Sequence, residues 1–228
     1  MRTWIKNPVA TWTGNKLRAP NGVVVDGSTI IELVDGEPSS PCGAVYTADD
    51  CVLLPGLVNC HHHFYQTLTR ALPAALNKEL FEWLTALYPI WANLSEAAIA
   101  ASTRTALAEL LLSGCTTTTD HHYVFPSGCE HAIDIQAEIA GEVGIRAILT
   151  RGSMSLGKEG GGLPPDEVVQ DADTILKDSE RLIHKFHEAG NGAMLQIALA
   201  PCSPFSVTTE LMRDSAQLAR NEGVLLHT

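Results

Sequence analysis

His61 and His63 close an apolar run, Leu53-Leu54-Pro55-Gly56-Leu57-Val58-Asn59-Cys60-His61-His62-His63. In an extended chain residues i and i+2 share a face, so these two imidazoles point one way and His62 points the other. A pair of neutral imidazoles converging from one strand is a donor set for a borderline-soft divalent metal ion. The chemistry such an ion offers is activation of water for hydrolysis. Further reactive side chains recur at the ends of later apolar runs: Asp120-His121-His122, Arg151-Gly152-Ser153, Cys202-Ser203 and His227. One of His121 and His122 should face a site at the strand ends, and His122 is taken as a substrate contact, against the alternative of a hydrogen-bonded loop histidine. Gln66 donates and accepts at once, as the amide edge of a heterocycle requires, although many surface glutamines do nothing. Arg151 would hold a substrate carbonyl or pair with a carboxylate, and Trp83 and Trp91 would cover a flat ring or fill the core.

These groups need a scaffold that gathers strand ends. Apolar strand candidates are 52–60, 116–120, 146–151, 195–200 and 224–227, and each gap between them has room for a helix. Ser95 caps a helix over 96–112 that Gly114 closes, with Ile99, Leu107, Leu110 and Leu111 on its buried side. Pro164-Pro165-Asp166-Glu167 opens another through Val168, Ile175, Leu182, Ile183 and Phe186, and Thr208/Thr209 starts a third ending near Gly223. Strand and helix in alternation imply right-handed βαβ units and a parallel sheet. No Gly-x-Gly-x-x-Gly follows a strand, so a dinucleotide site is unsupported. Reactive residues at every strand's C-terminal end instead suit a (β/α)8 TIM-type barrel, of which about the first five strands are visible. Ahead of it, Val23-Val24-Val25, Asp26-Gly27 and Ile30-Ile31 read as a hairpin in a small β-rich segment. The glycine-rich stretch 157–162 follows the third strand, where a lid or a plain surface loop would lie.

Composition narrows the function classes. The chain has 228 residues, 45% hydrophobic and 18% charged, enough for a large core. A formal charge of −11 repels a polyphosphate backbone, which excludes a duplex-binding role but suits a small neutral or cationic ligand. The N-terminus lacks the apolar stretch of a signal peptide, and no apolar run approaches the ~18–20 residues that span a bilayer, so a cytoplasmic protein without a membrane segment is expected. Six widely spaced cysteines with no Cys-x-x-Cys pair read as free thiols. Pro201-Cys202-Ser203-Pro204 opens like half of a cytidine-type zinc deaminase motif but lacks its second cysteine and any preceding His-x-Glu.

The chain resembles the amidohydrolase superfamily, and within it the branch of free-purine and hydroxytriazine aminohydrolases. The likeness is carried by Pro55-Gly56-Leu57-Val58-Asn59-Cys60-His61-His62-His63-Phe64-Tyr65-Gln66, by 74–81, by Thr116-Thr117-Thr118-Thr119-Asp120-His121-His122-Tyr123, by Arg151-Gly152-Ser153-Met154-Ser155 and by Ala200-Pro201-Cys202-Ser203-Pro204-Phe205. The resemblance implies residues 1–54 as the N-terminal part of a composite β-sandwich and 55–228 as the N-terminal portion of a barrel, truncated. It implies one divalent ion, Zn2+ or alternatively Fe2+, held by His61 and His63 together with a His and an Asp beyond Thr228, where the family's acid–base Glu and His also fall. No catalytic residue then maps within the chain, and His227 stands just before the ligand rather than being it. Strand 4 ends without Lys, which implies a mononuclear site.

The implied reaction is hydrolytic deamination of a free purine-type base, 8-oxoguanine first, giving a urate-type product and ammonia. The alternatives are a hydroxytriazine aminohydrolase, a guanine deaminase, or a truncated chain that binds metal without turnover. Trp91 and Cys202 stand where nucleoside-acting members carry ribose contacts, which disfavours a nucleoside. The implied partners are a small heterocyclic base and water, with no nucleic acid and no membrane, in a homo-oligomer.

Overall fold

A computed structural model describes residues 1–14, 17–18 and 21–228. The chain divides into two compact units, Met1–Gly56 and Leu57–Thr228. In the first, β1 (Arg2–Lys6), β2 (Ala10–Trp12), β3 (Leu17–Arg18), β4 (Gly22–Asp26), β5 (Thr29–Val34), β6 (Ala44–Thr47) and β7 (Val52–Leu53) form two sheets, ordered β5-β4-β1-β6 and β3-β2-β7. The hairpin read from the sequence is β4–β5, antiparallel with a bulge between Val24 and Val25. Trp4, Val24 and Val34 make its small core. Gly22 starts β4 at φ +110°, and a Cβ there would meet the Ile5 carbonyl oxygen at 1.8 Å, so only glycine lets β4 lie against β1.

The second unit is α/β. Its strands β8 (Leu57–His62), β9 (Cys115–His122), β10 (Arg146–Ser153) and β11 (Leu195–Pro201) are parallel and lie side by side in chain order. Helices α1 (Leu80–Trp91) and α2 (Glu96–Leu112) connect β8 to β9, α3 (Ala132–Val143) connects β9 to β10, α4 (Ala172–Phe186) connects β10 to β11, and α5 (Thr209–Glu222) follows β11. Parallel neighbours require such crossovers. The main core, including Phe64, Tyr65, Trp91, Ile99, Leu107 and Leu149, lies in this unit. Among the described residues no helix is long and apolar enough to cross a membrane, and all six cysteines are free thiols.

Local chemistry sets the boundaries. Ser95 accepts a hydrogen bond from the Ala98 amide at the start of α2, and Thr208 does the same from Leu211 at α5, which ends at Gly223 with φ 69°. Ile99, Ser102, Thr103, Ala106 and Leu107 make the buried stripe of α2. Leu111 turns past that stripe and is exposed, contrary to its expected burial.

Three other expectations are corrected. The run 52–60 is two strands in two units, because Pro55 has no N–H to donate and Gly56 carries no side chain to pack. The helix expected from 165 starts at Ala172, because the Asp171 side chain accepts from Thr174 N at 2.9 Å and caps there, leaving 166–168 as a separate single turn. The run 224–227 makes one parallel bridge, Leu226 to Leu199, flanked by Leu199 N to Leu225 O at 3.0 Å and His227 N to Leu199 O at 2.8 Å.

Candidate metal centre

The C-terminal end of the parallel sheet collects the reactive residues. His61 and His63 leave β8 on one side, with their Nε2 atoms 3.1 Å apart and their rings perpendicular. The His63 Nδ1–H donates to the His121 carbonyl at 2.6 Å, which leaves Nε2 as a bare lone pair. Burial holds His63 down at about 4, against the pull of that carbonyl. His121 is lowered to about 3, first by burial and then by the neighbouring imidazoles. Both rings are therefore neutral near pH 7, the form that binds metal. The His121 Nε2 is buried with no hydrogen-bond partner. Donor nitrogens of His61, His63 and His121 all lie within 4.8 Å of one another, so the residues present fit a divalent ion. The His227 Nε2 lies 3.1 Å from His61 Nδ1, with the two rings stacked.

Behind this cluster, fully buried Asp120 ties β9 to the turn that follows His63. Its Oδ1 accepts from the Phe64 amide and its Oδ2 from Gln136 Nε2 on α3, each at 2.7 Å. Burial raises its carboxyl to about 7, opposed by those two donors.

A cavity of about 320 Å³ opens beside the histidines. His61, His63, His121, Gln66, Cys202 and Ser203 supply its polar wall, and Phe81, Trp83, Tyr88, Tyr123 and Phe205 its aromatic one. Leu163, just after the glycine-rich stretch, also borders it. Burial pushes the Cys202 thiol up to about 11, against hydrogen bonds from Ser206 and Ser203, so it is protonated and no nucleophile at neutral pH. Gln66 Nε2 lies 3.4 Å from the Tyr65 hydroxyl.

The structure brings four of the seven residues expected at the site together, His61, His63, Gln66 and Cys202, and places three elsewhere. His122 is fully buried on the opposite face of β9, with Nε2 2.8 Å from the Val124 carbonyl and its ring edge-on to Tyr65 and Phe125. Strand alternation makes its neighbour His121 the one that faces the cavity. Arg151 pairs in register with His122 and so shares its face. It donates to Asp178 at 2.7 Å and to Gln170 at 2.8 Å, stacked over Phe125. Trp91 is fully buried and donates from Nε1 to Thr69 Oγ1, while Trp83, edge-on to it, reaches the cavity. Tyr123 and Phe81 line the cavity without having been singled out from the sequence. Tyr123, two residues beyond His121, shares its face, and the four threonines that precede the histidines carry no alternation that would mark that face as the one toward the cavity.

Comparison with known proteins agrees with this architecture. Residues 52–228 match the amidohydrolase family. The chain is similar over its whole length, at 58% identity, to 51% of the 8-oxoguanine deaminase of Pseudomonas aeruginosa. Over 76% of its length it is 38% identical to 37% of the hydroxydechloroatrazine ethylaminohydrolase of Pseudomonas sp. strain ADP. The crystal structure of atrazine chlorohydrolase from Arthrobacter aurescens TC1, complexed with zinc, superposes with a TM-score of 0.91 at 28% identity, covering 99% of this chain and 52% of that one. The chain spans about half the length of the first two of these relatives or less. With the matched region covering the parallel sheet and its histidines, the chain belongs to the amidohydrolase family.

Proposed function

We propose that this chain carries the metal-binding end and part of the base pocket of a hydrolytic deaminase acting on a free purine-type base, with 8-oxoguanine as its substrate. The observation that carries this reading is the His61/His63 nitrogen pair, 3.1 Å apart, opening into an aromatic-walled cavity. The 58% identity to an 8-oxoguanine deaminase across the whole chain supports the choice of substrate. In this reading β8 to β11 and the segment to Leu226 are the opening strands of a (β/α)8 barrel, whose active sites lie at the strands' C-terminal ends. Residues 1–54 belong to a separate β-sandwich.

His61 and His63 would hold a single divalent ion, zinc by analogy with the triazine-acting neighbour. When bound, the ion supplies Lewis acidity that makes water a competent nucleophile at neutral pH. This chain's own residues do the rest of the binding work. The His121 carbonyl fixes the His63 tautomer. Gln66 offers both hydrogen-bond polarities to a base edge, and Phe81, Trp83 and Tyr123 exclude water from its faces. Cys202, a protonated thiol, gives only a weak hydrogen-bond partner to a ribose hydroxyl, which favours a free base over a nucleoside. Trp91 lends that argument nothing, since it lies outside the cavity lining.

A second reading, a hydroxytriazine aminohydrolase, is favoured by the 38% identical relative and runs the same displacement on a smaller ring. Release of the displaced amine, ammonia from 8-oxoguanine, guanine and adenosine and the alkylamine from an N-alkyl hydroxytriazine, separates them. The purine reading expects the highest kcat/KM on 8-oxoguanine. A higher value on the triazine or the nucleoside rejects it.

A further inference from the structure

Tyr65 is fully buried behind the cavity wall, boxed by three aromatic rings. Trp91 and His122 stand 5.2 Å from it and Tyr123 5.9 Å, centroid to centroid, with interplanar angles of 89°, 77° and 88°. A phenylalanine would fill that box as well, and a hydroxyl placed there costs free energy unless it is hydrogen-bonded. Gln66 supplies the bond, its Nε2 donating to the Tyr65 hydroxyl at 3.4 Å. The Tyr123 hydroxyl is bonded to Tyr65 and to Gln66 as well. The amide nitrogen of Gln66 is thus turned onto two phenol oxygens. Its Oε1 has no partner among the described residues, and Gln66 borders the cavity.

The backbone carries the same arrangement to the metal centre. The Gln66 amide N–H donates to the His63 carbonyl at 3.0 Å, and Tyr123 lies edge-on to the His63 ring at 5.4 Å. A free glutamine side chain loses rotamer freedom when it orders on a ligand, whereas one already held by rigid rings does not. We propose that Tyr65, together with Tyr123, is a positioning residue that turns the Gln66 amide so that its carbonyl oxygen faces the cavity and accepts from an N–H of the base. This rests on the base-pocket reading above and deepens it, narrowing Gln66 from two hydrogen-bond polarities to one. A free oxidised purine carries ring N–H groups; an N-linked sugar replaces one of them and would leave such an acceptor unpaired.

The test is a double-mutant cycle on kcat and KM for 8-oxoguanine in the purified, metal-loaded protein, with Tyr65→Phe, Gln66→Ala and the pair combined. Tyr65→Phe removes one oxygen from the box and should raise KM about fivefold with kcat within twofold, metal content unchanged. Gln66→Ala should raise KM about tenfold, and adding Tyr65→Phe to it should change nothing further. Gln66→Glu, which still accepts but cannot donate, should keep KM within about threefold. Tyr123→Phe, which removes the other hydroxyl, takes the place of Tyr65→Phe should that variant not fold by far-UV circular dichroism. An unchanged KM in Tyr65→Phe overturns the proposal. Additive effects in the cycle also overturn it, because Tyr65 would then act on the fold and not through Gln66. Gln66→Glu as damaging as Gln66→Ala overturns the acceptor assignment. If Gln66→Ala itself leaves KM unchanged, the base contact of the proposed function fails as well; with that contact intact, the other failures reject only the positioning role.

Discussion

Replacing Arg151 by Met should destabilise the protein and leave substrate binding largely untouched. The guanidinium is 1% exposed and donates to the Asp178 carboxylate at 2.7 Å, to Gln170 at 2.8 Å and to the Gly152 carbonyl, with Phe125 4.0 Å beneath it. Met keeps much of the stem's packing and removes every one of those donors. Breaking a buried ion pair costs ~3–5 kcal/mol when the partner charge is orphaned. Asp178 is not orphaned here, because Arg181 also reaches it at 2.7 Å, so the loss should fall near the bottom of that range, about 3 kcal/mol. For a domain of this size each kcal/mol lowers Tm by ~2–4 °C, so circular dichroism melting should show a drop of about 6–12 °C. A variant with unchanged Tm and a several-fold higher KM would refute this reasoning and return Arg151 to the substrate.

Two further outcomes follow from the same geometry. Asp120→Leu should weaken metal binding, because it removes the acceptor that holds the buried Phe64 amide directly after His63; zinc affinity read by chelator competition is the check, and an affinity equal to that of the unaltered protein would contradict it. Asp134, whose own burial is outweighed by Arg181 and Lys185, has its carboxyl lowered to about 2. A folded-state value below the unfolded one means that its contribution is complete above about pH 4 and disappears as pH falls toward 2. Urea titrations should show this loss in the unaltered protein and a flatter profile in Asp134→Asn; parallel profiles would contradict it.

The elements were largely legible from local chemistry. Helix α2 runs over the residues that its Ser95 cap and Gly114 stop marked, and β9, β10 and β11 contain the expected runs, each one to three residues longer. Legibility failed where one local signal competed with another. Pro164-Pro165 looked like a helix start, yet Asp171 offers the better cap seven residues beyond Pro164. The segment 224–227 has the composition of a strand but pairs through a single bridge. Within the site, His61 and His63 were readable because a His-x-His spacing carries its own parity.

Parity is also why the remaining site residues were not readable. Four successive threonines in β9 show no alternation of apolar and polar residues, so nothing local says whether His121 or His122 faces the cavity. In the structure that choice is made by polar bonds on the helix-covered side. Asp120 is held by Gln136 of α3, and Arg151 by Asp178 of α4. Because β9 and β10 pair with His122 opposite Arg151, fixing either strand fixes both. A one-residue slip would bury His121 against the helices and turn His122 and Arg151 toward the cavity, the arrangement a reading by residue type alone prefers. The residues with the most reactive side chains at these strand ends are thus the anchors of the register, and their burial is what frees His121, two positions from Tyr123, to meet His61 and His63.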